Sequence, residues 1–173
     1  ELTGDEHHHG EVTFLERTLR SGMTVIEGGA NRGVTAVAAA TAVGDEGKVY
    51  ALEPIAEFFA LLKANVSRNG LHNIIPLNFA LSDHSGPLIF YKHGEGSGIT
   101  PTEDSEKIMV NAIDMTTLMR DYKLDSIDYL NLDCEGSELL IFQHARDILQ
   151  QQMPTIFCEL HHGYLEALGQ SVR

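Results

Sequence analysis

Apolar residues in this chain fall into short strand-like runs separated by longer stretches of helical spacing. Val25-Ile26 reads as a first strand. Residues 34–43 form an Ala/Val-rich helical stretch closed by Gly44, with small side chains suited to close packing on a sheet. Lys48 to Glu53 is a second strand, and Pro54 stands where it can open the next helix. That helix carries Phe58, Phe59, Leu61, Leu62, Ala64 and Val66 and stops at Asn69-Gly70; Ile74 to Phe79 is a third strand. The β-α-β-α-β order predicts parallel strands joined by right-handed crossovers. Upstream, Val12, Leu15 and Leu19 predict a short helix over 11–20, ended by Gly22, with residues 1–10 a flexible polar lead-in.

After residue 80 the pattern changes. Asp83-His84-Ser85-Gly86 reads as a turn, Leu88 to Tyr91 as a short strand and Lys107 to Ile113 as its pairing candidate. Between them, residues 93–106 are polar and rich in glycine, the composition of a functional lid or of a disordered segment. A short helix is expected over 115–123. Alternation then resumes with a strand over 127–133, a helix over 137–149 and a strand over 155–160 that runs into His161-His162. Residues 11–173 therefore read as one α/β domain with a mostly parallel sheet.

Size and composition agree. The chain has 173 residues, 43% of them hydrophobic, enough for one domain with a real core. No apolar run approaches the ~20 residues of a membrane span, and no signal-peptide pattern opens the sequence. The net charge of −13, from 25 acids against 12 bases, opposes nucleic acid or anionic membrane as a partner. Cys134 and Cys158 are not in a CxxC pair, so zinc and redox motifs are absent. Both lie in apolar runs and read as buried free thiols of a cytoplasmic protein, with a disulfide left open should their strands be neighbours. His7-His8-His9 are adjacent and cannot all face one ion from a regular element, so no metal site is read there.

The candidate chemistry starts at the first strand. Thr24 to Thr35 reads Glu27-Gly28-Gly29-Ala30-Asn31-Arg32-Gly33, an acid at a strand end followed by glycines and a helix. Gly29 and Gly33 allow a tight turn and close approach of backbone to ligand. The spacing is not Gly-x-Gly-x-x-Gly, and a carboxylate here repels a dinucleotide's pyrophosphate. It attracts an amino group or a sulfonium, and S-adenosylmethionine carries both. Glu27, Glu53, Asp133 and Glu159 each close a strand, so all four belong at the carboxyl edge of one sheet, where ligands of open α/β folds bind. Glu53 is placed to accept both ribose hydroxyls, with Ser82 and Asp83 beside the adenine. Asp133 opens Asp133-Cys134-Glu135-Gly136-Ser137-Glu138, where Ser137 or Glu135 can cap the next helix. Glu159 and His161, two apart, are expected on one face of the last strand, with His161 or Asp133 as the base for an alcohol. His162 reads as a surface group.

These segments resemble the FkbM family of S-adenosylmethionine-dependent methyltransferases, roughly over residues 12–168. The resemblance rests on Val25 to Gly33, Val49 to Pro54, Ala80 to Gly86, Ile127 to Glu138 and Pro154 to His161, with Asp-x-Glu-Gly-x-Glu its most specific element. It implies a class I (Rossmann-like) methyltransferase fold, a three-layer sandwich, and O-methylation of a hydroxyl on a sugar, lipid or natural product. It assigns Glu27, Gly29, Asn31, Gly33 and Glu53 to the cofactor, and Ala30, Pro54, Ser82 and Asp133, in or beside the same strand-end segments, join them as candidate cofactor contacts. It puts Asp133 and Glu135 at the methyl-transfer centre, to which the strand-end reading adds Glu159 and His161 as catalytic candidates. The sequence has Glu27 where Asp is more usual and Asn131 where Lys is common. Such folds add two further strands after the fifth, which this sequence lacks.

No metal is assigned. A divalent cation shared by Asp133 and Glu159 ranks second, because acids at strand ends outnumber metal sites. Two rival functions remain: a module that binds the cofactor without turnover, and an NAD-dependent reductase, the latter disfavoured by the absence of a Tyr-x-x-x-Lys pair. The methyl acceptor and the oligomeric state are not legible.

Overall fold

The computed structural model describes residues 6–94 and 96–169. Helix α1 spans Glu6–Thr18, and strand β1 (Thr24–Gly28) leads into α2 (Val34–Val43). Strand β2 (Lys48–Leu52), helix α3 (Ala56–Arg68) and strand β3 (Ile74–Leu77) follow. Strands β4 (Ala80–Ser82), β5 (Gly86–Lys92) and β6 (Glu106–Asp114) come next, then α4 (Met115–Tyr122) and β7 (Tyr129–Leu132). Helices α5 (Glu138–His144) and α6 (Arg146–Gln152), strand β8 (Thr155–Cys158) and α7 (His162–Ala167) complete the order. The first helix starts earlier than its apolar residues suggested, and of the expected lead-in residues 1–5 lie outside the described residues. The side chains of His7 to His9 also lie outside them.

The main sheet has order β3-β2-β1-β7-β8, and every neighbouring pair is parallel. The register aligns Val25 with Val49 and Tyr129, and Glu27 with Ala51 and Asn131. Alternation across the pleat then gives the sheet two apolar faces. Val25, Val49, Ala51 and Tyr129 pack against Leu15 of α1, Leu19 just after it, the alanines of α2, and Leu62 and Val66 of α3. Ile26, Leu52, Leu130 and Leu132 pack against Met115 and Leu118 of α4 and Ile141 of α5. The result is three layers, α/β/α. The Ala-rich α2 is buried along nearly its whole length, which explains why its sequence lacks a polar face.

Several boundaries differ from expectation. The third strand stops at Leu77, and β4 leaves it for a second sheet of order β4-β6-β5, in which β5 and β6 are antiparallel. This sheet caps the β2–α3 connection through Ile55, Ala80, Phe90, Val110 and Ala112. The helix expected over 137–149 is divided at Ala145, which carries helix-ending dihedrals. Strand β8 ends at Cys158, so Glu159 and His161 are not on a strand; α7, unforeseen, follows at His162. Among the described residues no helix is long and apolar enough to cross a membrane.

A candidate methyl-transfer cleft at the carboxyl edge of the sheet

The carboxyl ends of β1, β2 and β7 converge through backbone bonds. The Leu52 carbonyl accepts from both Gly29 N and Ala30 N, and the Gly28 carbonyl accepts from Asp133 N. Gly29 has φ 84°, and a Cβ there would lie 1.8 Å from the Asp133 carbonyl oxygen. Only glycine fits, because this is where the turn after β1 crosses the end of β7. Gly33, also left-handed, precedes α2; a Cβ there would meet Leu62.

Between these strand ends and the second sheet lies an open cleft, about 500 Å³ with the solvent-filled space at its mouth included. Gly29, Asn31, Glu53 and Pro54 line it from the turns after β1 and β2, and Asp133, Cys134, Glu135 and Ser137 from the turn after β7. Ile55, Phe58, Leu81 and Phe90 supply apolar walls, and Ser97 enters from the glycine-rich loop. Gly98 of that loop is pressed so closely on the Glu135 backbone that a Cβ would come within 2.3 Å of the Glu135 carbonyl oxygen.

Glu53 is 4% exposed. Its carboxylate accepts from Asn31 N at 2.9 Å and Ile55 N at 2.8 Å. Burial pushes its pKa up to about 7, against the lowering effect of those two bonds. Asn31, with φ 48°, presents a buried side-chain oxygen that has no hydrogen-bond partner.

The first acid is placed differently from expectation. Glu27 is 2% exposed and sits beneath the cleft, not among its lining residues. The Thr35 hydroxyl of α2 donates to it, and Asn131, its neighbour on β7, donates to Glu11 of α1 at 2.8 Å. Burial raises the Glu27 carboxyl to about 8; the Thr35 bond lowers it, while Glu11 and Asp133 add repulsion. The residue faces the α1–α2 layer because its row of the pleat does. Ser82 is likewise buried, its hydroxyl on Asp83 at 3.1 Å; Leu81, its neighbour on β4, reaches the cleft instead.

Around the turn after β7, four carboxylates surround one imidazole. His161 Nε2 lies 3.2 Å from Glu135, 3.6 Å from Asp133 and 3.8 Å from Glu159. Its Nδ1 is 3.1 Å from Glu138 Oε1. Glu138 is fully buried and also accepts from Cys134 N and Gly136 N, closing the Asp133–Ser137 turn. It replaces the Ser137 or Glu135 cap expected from sequence: Ser137 makes no side-chain cap bond. Glu135 itself has φ 47° and turns toward the imidazole. The Glu138 bond, outweighing burial, lifts His161 to about 9, with Glu135 and the other acids adding to it. Burial raises Asp133 to about 6 and Glu135 to about 7, partly offset by His161. Glu159 and His161 thus meet through the bend after β8, not through strand alternation. His162 is exposed, as expected.

Cys134 and Cys158 are both free and half-buried. Burial raises both thiols, Cys158 to about 12, so neither is poised as a nucleophile. Glu138, Glu11, Phe58, Phe90 and Ser97 were not singled out from sequence. Glu138 had a signal, since it closes Asp-x-Glu-Gly-x-Glu; the others come from distant elements that only the fold brings in.

A parallel sheet of this order, a glycine turn after its first strand and a cleft walled by an acid after its second define a Rossmann-like domain of the class I methyltransferase type. The chain belongs to the FkbM methyltransferase domain family, which it matches over residues 27–171. No curated protein matches the sequence. Among solved structures it is similar to methyltransferase FkbM from Methylobacillus flagellatus KT, with TM-score 0.60 and 15% identity, covering 94% of this chain and 43% of that one. It is similar to precorrin-6y C5,15-methyltransferase from Geobacter metallireducens GS-15, with TM-score 0.57 and 11% identity, covering 98% and 71%. It is also similar to a SAM-dependent O-methyltransferase from Thermotoga maritima, with TM-score 0.55 and 16% identity, covering 92% and 47%. At these identities the likeness is one of fold. The chain spans less than half the length of the Methylobacillus and Thermotoga proteins.

Proposed function

We propose that the cleft binds S-adenosylmethionine and that the chain carries out methyl transfer to a hydroxyl oxygen of a sugar, lipid or other small natural product. The observation that carries this reading is Glu53, a buried carboxylate at the end of β2, held by two backbone N–H groups and lining the cleft. Each of its oxygens keeps a lone pair for a ribose hydroxyl. Ile55, Phe58, Leu81 and Phe90 offer an apolar slot for a purine. Asp133 and Glu135 put negative charge where an amino group or sulfonium would be held, and the unpartnered Asn31 oxygen awaits a donor.

When bound, the cofactor supplies a methyl group on a cationic sulfur, open to in-line attack by oxygen. The chain's own residues position the acceptor and take its proton. Asp133 and Glu135 reach the cleft and have carboxyl groups raised toward neutrality, which suits the base. His161 is not among the lining residues. Protonated at neutral pH among four acids, it serves better to hold those acids in place than to accept a proton. The groups titrate as one coupled set.

The test is calorimetry with S-adenosylhomocysteine, followed by transfer of labelled methyl to a panel of small hydroxyl compounds. Saturable binding with release of labelled product is expected. Folded protein that binds no S-adenosylhomocysteine would end the reading. Binding without transfer to any acceptor would favour a cofactor-binding module instead.

A further inference from the structure

We propose that Asp133, Glu159 and His161 form a divalent-cation site of the kind Mn²⁺ occupies, beside the cleft that Asp133 lines. One ligand atom from each residue lies within 4.8 Å of the others. Metal–oxygen and metal–nitrogen bonds of roughly 2.1 Å put ligand atoms about 3 Å apart when adjacent and about 4.2 Å apart when opposite. The observed separations from His161 Nε2, 3.6 Å to Asp133 and 3.8 Å to Glu159, need only a small inward adjustment.

Two further observations separate this cluster from a crowd of surface acids. The first is the orientation of the ring. Glu138 Oε1 already accepts from the Cys134 and Gly136 amides, so the His161 Nδ1 beside it must be the donor. That leaves Nε2, aimed at Asp133 and Glu159, as the nitrogen whose proton a cation displaces. A carboxylate behind a ligating histidine is the usual second layer of a metal site. The second is Asp133 Oδ1: the side chain is 42% exposed, yet this oxygen is turned inward, out of reach of solvent, and has no hydrogen-bond partner. An Nε2 proton can be donated well to one acceptor, yet three carboxylates face that nitrogen. Among the described residues the ion pairs of these acids run to His161, whose single charge cannot balance them. A dication bound by Nε2, Asp133 and Glu159 satisfies the orphaned oxygen and the charge together, with Glu135 beside it as a further acceptor for metal-bound water.

Carboxylate oxygens with one imidazole suit Mn²⁺ and Mg²⁺ better than a thiol-seeking metal, and Mn²⁺ tolerates the nitrogen ligand better than Mg²⁺ does. The role of the ion, acidifying an acceptor hydroxyl beside Asp133 in the cleft, rests on the methyl-transfer reading. The binding itself does not.

Metal-stripped protein of the full chain is titrated with MnCl₂ by calorimetry, and the same preparation with S-adenosylhomocysteine. Pulsed EPR then reads the nitrogen coupling of the bound Mn²⁺. One Mn²⁺ per chain, a histidine nitrogen coupled to it, and an affinity lowered about tenfold or more by Glu159→Gln are expected. Glu159 is half exposed, so this variant keeps the fold, checked by its melting curve. Absence of saturable Mn²⁺ uptake by protein that still binds S-adenosylhomocysteine overturns the site and leaves the function standing. So does uptake without nitrogen coupling, or uptake indifferent to Glu159→Gln. Mn²⁺ binding as described with no S-adenosylhomocysteine binding supports the site and removes the methyltransferase reading.

Discussion

Glu53 and Gly29 carry the sharpest predictions for single residues. Glu53→Ala removes the acceptor for two backbone amides and for the proposed ribose hydroxyls. Hydrogen bonds to a charged group are worth about 1.5–3 kcal/mol each, so S-adenosylhomocysteine affinity should fall by one to two orders of magnitude in calorimetry. Gly29→Ala should cost more than 2 kcal/mol in urea unfolding, a rough figure combining left-handed strain of about 1–3 kcal/mol with a clash against backbone. The clashing atom is the Asp133 carbonyl, which cannot rotate away as a side-chain tip could. Both residues were legible in the sequence, because an acid at a strand end and a glycine in a turn are local signals. Glu27 was legible as a strand-end acid but not as a buried one. Its burial depends on α1 and α2 both crossing its row of the sheet, which spacing along one chain does not reveal. Ser82 was misplaced for a related reason: the third strand breaks at Leu77, and the new register of β4 points Leu81 toward the cleft.

Among the elements, α4 shows how a short helix is anchored. Its N-cap Asp114 accepts from Thr117 N and from the Thr117 hydroxyl, and also from Ser85 Oγ. Burial opposes ionisation of this carboxyl, but the Ser85 and Thr117 bonds outweigh it and hold the group down at about 2. A depressed carboxyl stabilises the fold above its unfolded pKa of 3.8 and loses that contribution as pH falls toward 2. Asp114→Ala should therefore cost about 0.5–2 kcal/mol in urea melts at pH 7, with the difference shrinking at pH 2. The strand–helix alternation that produced the main sheet was readable because each buried parallel strand is a short apolar run between helical stretches. The bend after β8 was not. Glu159, Leu160 and His161 continue the look of a strand, yet β7 ends at Leu132, opposite Cys158, and offers them only the bond from the Glu159 amide to the Leu132 carbonyl. The meeting of His161 with Glu138, 23 residues apart, follows from that bend and is invisible to periodicity.

At the scale of the molecule, acid burial sets the pH response. Glu27, Glu53, Asp133 and Glu135 all have carboxyls raised by burial, and His161 is raised by Glu138. Each binds a proton in the folded state that it releases on unfolding, so each contributes stability below its unfolded pKa and loses it as pH rises through the folded value. Unfolding free energy should fall between about pH 5 and pH 9, by about 1.4 kcal/mol per pH unit for each differing proton. The expected outcome in denaturant titrations is a protein steadier in mild acid than in mild base. Glu27→Gln, which keeps the shape without the ionisation, should flatten the segment between 4.5 and 8.

Helix α1 gives that response a location. Leu15 and Leu19 close the layer over Val25, and Glu11 takes the Asn131 amide beside Glu27, with the Tyr129 hydroxyl buried unpartnered in the same region. Lifting of this helix would open the Glu27 carboxyl to water, and deprotonation and lifting would then be one equilibrium viewed from two sides. Alkalinity should then act as a wedge at the amino-terminal end of the domain. Deuterium uptake across residues 11–18 should quicken between pH 7 and 9 beyond the ordinary base-catalysed rise, well before the amides of β1 and β7 follow, and Glu27→Gln should abolish that excess.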